Sequence, residues 1–206
     1  MSDSHLRRKY VEAAPRAPEG RFSWDDVVQG DGPIELDIGF GRGQSLFERA
    51  AVAPESRIVG IEVKPKWAYK VHQLLQERGV SNVQVLCGDT REILTRVGPD
   101  RSVHKVALHF PDPWWKKRHQ KRRVIGDVLL GELRRLMRAD AVLFIQTDVE
   151  DRAERYARQI READGFTLVS SDGFVADNPF DARSNREHRA IADGLPIWRI
   201  VATRTG

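Results

Sequence analysis

Asp112 stands between two prolines at the end of an apolar segment, in the run Phe110-Pro111-Asp112-Pro113-Trp114-Trp115. Proline fixes φ and biases the residue before it away from helix, so the carboxylate is expected on a stiff turn. Lys116-Lys117-Arg118-His119-Gln120-Lys121-Arg122-Arg123 follows, and six of those eight residues are Lys or Arg. An acid, flat rings and a block of cations suit a planar, polyanionic molecule held by one edge. Among the bases, guanine presents two adjacent donors on its Watson–Crick edge, and one carboxylate can accept both. The opposite edge then offers N7, whose lone pair needs no proton removed. A nearby carboxylate stabilises the positive charge that alkylation of N7 creates. What remains for the protein is alignment of two reactants. Trp114 or Trp115 can stack on an extruded base, although aromatic side chains also dominate cores. The basic run fits an RNA backbone; its bland alternative is a solvated helix start.

Other polar features recur at intervals along the chain. Asp37 precedes Gly39-Phe40-Gly41-Arg42-Gly43; Glu62, Asp89 and Asp148 each close a short apolar segment. The glycine spacing is G-x-G-x-G, without the later glycine that a pyrophosphate loop requires. A carboxylate at Asp37 opposes a pyrophosphate and suits an ammonium. Glu62 stands where an acid commonly takes ribose hydroxyls. Asp89 can accept from the exocyclic amine of adenine. An ammonium, a ribose and an adenine without a pyrophosphate describe S-adenosylmethionine, and Asp37, Gly39, Gly41, Glu62 and Asp89 are its expected ligands. Helix capping is the simpler reading of Glu62, Asp89 or Asp148 taken singly.

The elements that must position these groups alternate. Strands are expected at 34–38, 57–62, 83–86, 103–110, 141–147, 166–170 and 195–203. Helices are expected over 44–53, 66–78, 90–97, 124–137 and 149–163, while 177–194 reads as polar loop with at most one helical turn. Such alternation predicts an α/β fold, a doubly wound, mainly parallel seven-stranded sheet with helices on both faces. Right-handed crossovers bring the strand C-termini to one edge, where ligands bind. Residues 1–32 read as a flexible basic arm, with a short packed turn around Trp24 and Val27-Val28. Residues 33–206 read as a single domain.

Composition bounds the rest. A chain of 206 residues with net charge +4 mildly favours an anionic partner. One cysteine, Cys87, excludes an internal disulfide, and the six histidines show no metal-ligand spacing, so no metal is expected. No apolar run approaches a membrane span and no secretory signal is expected, which makes the cytoplasm the default compartment. No obligate protein partner is predicted.

In Asp37-Ile38-Gly39-Phe40-Gly41, Gly60-Ile61-Glu62-Val63, Phe110-Pro111-Asp112-Pro113-Trp114, Lys121-Arg122-Arg123 and Thr147-Asp148, the chain resembles the bacterial tRNA (guanine-N7-)-methyltransferases. The resemblance runs from Ile34 almost to the end. It implies a Rossmann-like class I methyltransferase fold with an antiparallel last strand, and methyl transfer from S-adenosylmethionine to guanine 46, in tRNA numbering, of the variable loop. It implies that Asp37, Glu62, Asp89 and Asp112 surround the cofactor and that Asp112 is also catalytic. Lys116 and Asp148 are implied to touch the substrate, and Arg118, His119, Gln120, Lys121, Arg122 and Arg123 to meet RNA. Two departures stand out. The first-strand acid, usually Glu in the family, is Asp37. The family's Thr-x-aromatic-Glu pattern aligns with Ser184-Asn185-Arg186-Glu187, where Arg186 replaces the aromatic; these four are expected to bind substrate, with a helix capping box as the rival reading. A methyltransferase acting on another RNA nucleotide, a non-catalytic RNA-binding protein and a nicotinamide enzyme stay open as alternatives.

Overall fold

The structure is a computed structural model that describes residues 3–111 and 125–206, with the backbone alone described for residues 3–7. Seven strands form one sheet: β1 (Ile34–Ile38), β2 (Arg57–Glu62), β3 (Val83–Cys87), β4 (Val103–His109), β5 (Met137–Thr147), β6 (Phe166–Leu168) and β7 (Trp198–Arg204). Their spatial order is β3-β2-β1-β4-β5-β7-β6. Every pairing is parallel except those of β7, which runs antiparallel to both β5 and β6. The α/β, doubly wound architecture and the antiparallel last strand thus agree with the sequence reading. Strand order reverses between β1 and β4, which opens a crevice at their C-terminal ends.

Helices cover both faces because the strands alternate. Ile34, Leu36 and Ile38 of β1 point into one core with Val106 and Leu108 of β4 and Leu143 and Ile145 of β5. α4 (Thr90–Arg96), α5 (Asp127–Leu136) and α6 (Glu150–Glu162) close that core with Leu94, Leu133 and Ile160. The opposite face packs Leu46 of α2 (Gln44–Val52) and Val71 and Leu75 of α3 (Pro65–Glu77). A smaller apolar cluster on that face joins Ala107, Phe144 and Val201 to Phe180 and Ala182. The polar members of the same strands, Asp37, His109 and Gln146, therefore emerge on the α2 side.

Four segments differ from the sequence pattern. β5 begins at Met137 rather than 141. Residues 1–32, expected as an irregular arm, contain the helix α1 (Asp3–Ala13), whose Tyr10 packs against Tyr69 of α3 with ring centroids 5.6 Å apart. Further on, Phe22-Ser23 pairs with Val97-Gly98, and Trp24 is 2% exposed with its indole N–H donating to Ser102 Oγ at 2.8 Å. The short packed turn expected there exists as a 3-10 turn over Trp24–Asp26. Residues 185–192, expected as loop, form α7 (Asn185–Ala192). Only Ala190 and Glu187 of that helix are buried, so its apolar periodicity is weak and polar partners hold it. Finally β7 begins at Trp198 rather than 195. Among the described residues no helix is long and apolar enough to cross a membrane.

Candidate active site

At the C-terminal edge the sheet carries two kinds of polar group. Beside β2 and β3, backbone does most of the holding. Gly39, Gly41 and Gly43 all have positive φ, and the loop they form leads into α2. Gly43 permits a close approach: a Cβ there would meet the Val71 methyls of α3 at 2.8 Å. Gly60 of β2 is needed for a second reason, since a Cβ there would meet the Phe40 ring at 2.7 Å. Glu62, 5% exposed, ties the loop to β2: Gly41 N–H donates to Oε2 at 3.0 Å and Lys64 N–H to Oε1 at 2.8 Å. It does not cap α3, whose N-cap is Lys64. A carboxylate at the end of this strand is of the type that takes ribose hydroxyls.

Asp89 does cap a helix. It accepts Arg91 N–H at 3.0 Å at the start of α4, and Arg91 Nη2 donates to it at 2.6 Å. The Arg91 side chain holds its pKa below the usual value against the opposing effect of burial.

Asp37 is the most constrained acid. It is 5% exposed; Ser45 of α2 donates its hydroxyl to Oδ2 at 2.5 Å, and His109 Nε2 lies 4.0 Å from the same oxygen. Oδ1 is buried with no partner among the described residues. Burial raises the pKa of Asp37, partly offset by His109 and Ser45. A buried carboxylate with one oxygen unpaired is an expensive arrangement unless a cationic donor completes it. Gly39 and Gly41 beside it leave open space where a side chain would project. These features fit the amino-acid end of S-adenosylmethionine.

Beside β4, β5 and β7 the holding is done by side chains. His109, Gln146 and Arg199 occupy successive strands in register. Gln146 Nε2 lies 2.7 Å from His109 Nδ1 and donates to Glu187 Oε2 at 2.7 Å. Arg199 Nη2 donates to Glu187 Oε1 at 3.1 Å, and Asn178 Nδ2 to Oε2 at 3.1 Å. Glu187 is fully buried, so in this structure its carboxylate is committed inward. Ser184 accepts Glu187 N–H through Oγ at 3.2 Å, which is half of the capping box. Asn185 and Arg186 are exposed at the start of α7, and Arg186 is ion-paired with Asp148 at the end of β5. Asp148 is not the N-cap of α6, which is Val149. Two residues of α2 fasten this side to the glycine loop. Arg49 donates to both oxygens of Glu35 and to Phe180 O, while Glu48 accepts from Gln44, Arg183 N–H and His188.

The sequence reading missed Ser45, His109, Gln146, Asn178 and Arg199. Ser45 stands two residues into the expected helix and carried no signal. His109 and Gln146 did carry one: each is a polar residue directly after an apolar run, 106–108 and 141–145, at or next to the end of its strand.

Asp112, Trp114, Trp115, Lys116 and Arg118 through Arg123 lie outside the described residues. β4 delivers the chain to them through Phe110, which turns at φ +50 while its N–H is fixed by Gln146 O at 2.8 Å. A left-handed bulky residue is costly and marks a constrained exit from the strand.

A basic and aromatic surface borders the glycine loop. Arg42 and Lys66 lie 5.3 and 5.5 Å from the Trp67 ring centroid, and Lys9 of α1 lies 5.6 Å from that of Tyr69. Arg42, Lys66 and Lys70 are exposed, and no acid occurs between Glu62 and Glu77.

Comparison with known proteins agrees with this geometry. A family model described as "Putative methyltransferase" matches residues 31–200. The tRNA (guanine-N(7)-)-methyltransferase of Vibrio cholerae serotype O1 (strain M66-2) is 37% identical over 186 residues, covering 89% of this chain and 78% of that protein. Its counterpart from Photobacterium profundum is 36% identical over 188 residues, covering 89% and 76%. Among solved structures, SMU.1697c of Streptococcus mutans, in complex with SAH, superposes with a TM-score of 0.55 at 12% identity and covers 99% of both chains. That likeness is one of fold.

Proposed function

The chain belongs to the tRNA (guanine-N(7)-)-methyltransferase family, and from that premise we propose that it methylates N7 of guanine 46, in tRNA numbering, of the variable loop. The coarser reaction is the family's: methyl transfer from S-adenosylmethionine to guanine N7 in tRNA. The observation that carries the cofactor is Asp37, buried, with one oxygen unpaired beside an open glycine loop.

S-adenosylmethionine, when bound, supplies a methyl group on a sulfonium centre. Asp37 accepts its ammonium, the Gly39–Gly41 backbone gives it room, Glu62 takes ribose hydroxyls and Asp89 receives the adenine amine. Asp112 accepts the two donors on the Watson–Crick edge of guanine and so turns N7 toward the donor. It also stabilises the positive charge left on the ring. No general base is required, and the chain's work is alignment. Lys116, Asp148, Ser184, Asn185 and Arg186 wall the base, with Glu187 holding that wall from beneath. Arg118, His119, Gln120, Lys121, Arg122 and Arg123 meet the RNA backbone. The basic and aromatic strip of Lys9, Arg42, Lys66, Trp67 and Lys70 supports RNA as the partner, since cations flanking a ring suit phosphate and base together. The cytoplasm is the compartment where such a partner is met.

The test is methyl transfer from labelled S-adenosylmethionine to unmodified tRNA, followed by nucleoside analysis and mapping. Label in 7-methylguanosine at position 46 is expected. Label in another nucleoside overturns the reading of Asp112, and bound tRNA without label moves the chain to a non-catalytic role. Asp112→Asn is expected to lower turnover by roughly 10²–10³ while leaving S-adenosylhomocysteine binding near that of the wild type. Unchanged turnover removes Asp112 from the mechanism.

A further inference from the structure

His109, Gln146 and Arg199 form a polar row across three adjacent strands, on the face that carries Asp37. Directly behind it the same strands carry Ala107, Phe144 and Val201, an apolar row. A row of polar side chains at the rim of a packed sheet needs a reason, because buried polar groups are costly unless each is satisfied. The hydrogen bonds supply one.

Glu187 is fully buried and its carboxylate receives Gln146, Asn178 and Arg199. An ionised carboxylate only accepts, so the side of Gln146 that meets it must be the NH₂. Rotating the amide by half a turn would set its oxygen against Glu187. The same nitrogen lies 2.7 Å from His109 Nδ1. One hydrogen of that NH₂ goes to Glu187 and the other to His109, so Nδ1 must accept. The proton of His109 is then on Nε2, the ring atom 4.0 Å from Asp37 Oδ2. In the other tautomer a lone pair would face the carboxylate and repel it. The orientation of one buried amide therefore decides whether Asp37 meets a donor or a lone pair on that side.

We propose that Glu187, acting through Gln146, fixes His109 as the Nε2–H tautomer, and that this row is a positioning device for Asp37. Ser45 and His109 then hold Oδ2 from two sides, which leaves Oδ1 for an incoming ammonium. At 4.0 Å the His109 N–H acts through its dipole or through one bridging water. The device also links the two halves of the site, since Glu187 sits on α7, whose first turn carries Arg186 and its ion pair to Asp148. This inference rests on the reading of Asp37 as the ammonium acceptor.

Two ligands separate the possibilities. S-adenosylhomocysteine carries the amino-acid end; 5′-methylthioadenosine lacks it. Their dissociation constants are measured by calorimetry for the wild type and for Gln146→Met, which keeps volume and leaves Glu187 with Asn178 and Arg199. The wild type is expected to favour S-adenosylhomocysteine strongly. Gln146→Met is expected to weaken S-adenosylhomocysteine by up to about tenfold, as Nε2–H ceases to face Asp37 in part of the population, and to leave 5′-methylthioadenosine unchanged. Nitrogen NMR of the His109 ring should show the proton on Nε2 in the wild type and a mixture of tautomers in the variant. His109→Gln, which keeps a donor near the Nε2 position, should retain affinity that His109→Leu loses. A wild-type His109 protonated on Nδ1, an equal loss for both ligands, or no loss in Gln146→Met overturns the positioning role while leaving the ammonium reading intact. A wild type that binds both ligands alike overturns both.

Discussion

The two halves of the rim hold their polar groups in opposite ways. Beside β2 and β3, Glu62 is fixed by the backbone N–H groups of Gly41 and Lys64, and Asp89 by its own helix start and Arg91, while Asp37 of β1 stands at the seam, held by the side chains of Ser45 and His109. Beside β4–β7, His109, Gln146, Glu187 and Arg199 are fixed by one another. Backbone donors come with the fold and cost no side-chain entropy, whereas a side-chain network exists only if each member is present. The first arrangement suits a cofactor that is the same in every reaction. The second suits a wall that must be built for one substrate. It follows that substitutions at Glu187 and Arg199 should disturb stability first and those at Asp37 or Glu62 ligand binding, with His109 and Gln146 reaching the cofactor only through Asp37.

The largest expected effect is Arg199→Met. Arg199 is 15% exposed at its side chain and Glu187 is 0% exposed, so the change leaves a buried carboxylate without its cation. It also removes the bond from Arg199 Nη1 to Ala176 O. Breaking one side of a buried pair costs about 3 kcal/mol. A thermal melt should show Tm lower by roughly 6–12 °C. A melt unchanged from the wild type would mean that the network is an ornament of the fold and the contrast between the halves is false.

Asp37→Asn tests the seam between the halves, where binding and stability should move in opposite directions. Burial raises the pKa of Asp37 above 3.8 in the folded chain. Between 3.8 and that raised value the folded state keeps a proton that the unfolded state has lost; as pH rises through it, the buried charge costs stability. Asn removes the charge and keeps an acceptor for Ser45. The ligand-free protein at neutral pH should therefore melt about 2–4 °C higher, as for a gain near 1 kcal/mol. S-adenosylhomocysteine affinity should fall at least about tenfold, because the ammonium loses its counter-charge. A lower melt together with retained affinity would make Asp37 a structural group and not a ligand.

The same contrast explains what the sequence discloses. Asp37, Glu62 and Asp89 stand out in the sequence because each lies at or within two residues of a strand end, near a glycine or a helix start, and such local patterns follow from backbone geometry. The strand-helix alternation that positions them is legible for the same reason, in apolar periods of two and of three to four. His109 and Gln146 are 37 residues apart, and Gln146 and Glu187 are 41 apart. Only the register of β4 against β5 and the packing of α7 bring them together, and neither is a local property. Residues 185–192 read as loop because the helix is held by Ser184 and buried Glu187 more than by an apolar stripe. Trp24 read as one side chain of a short turn, yet it is core, since the indole reaches Ser102 across 78 positions.

Arg91→Ala should have the smallest effect, and its smallness is informative. Arg91 and Asp89 form a pair whose side chains are 32% and 41% exposed, on the half of the rim where backbone does the holding. An exposed pair contributes between 0 and about 1 kcal/mol. Asp89 keeps its bond to the N–H of residue 91, which any side chain at that position leaves in place, so α4 retains its cap. Tm at neutral pH should fall by no more than about 2–4 °C. The Arg91 side chain lowers the Asp89 pKa below 3.8, so its contribution is present above that value and is lost as pH falls through the lower folded value. Removing Arg91 should therefore narrow the difference between wild type and variant in acid and leave it widest near neutrality. S-adenosylhomocysteine affinity should hold or improve, since Asp89 no longer shares its carboxylate with the guanidinium. A fall in Tm as deep as that of Arg199→Met would show that the cofactor side, too, depends on a side-chain network, and the division of the rim into two modes of support would collapse.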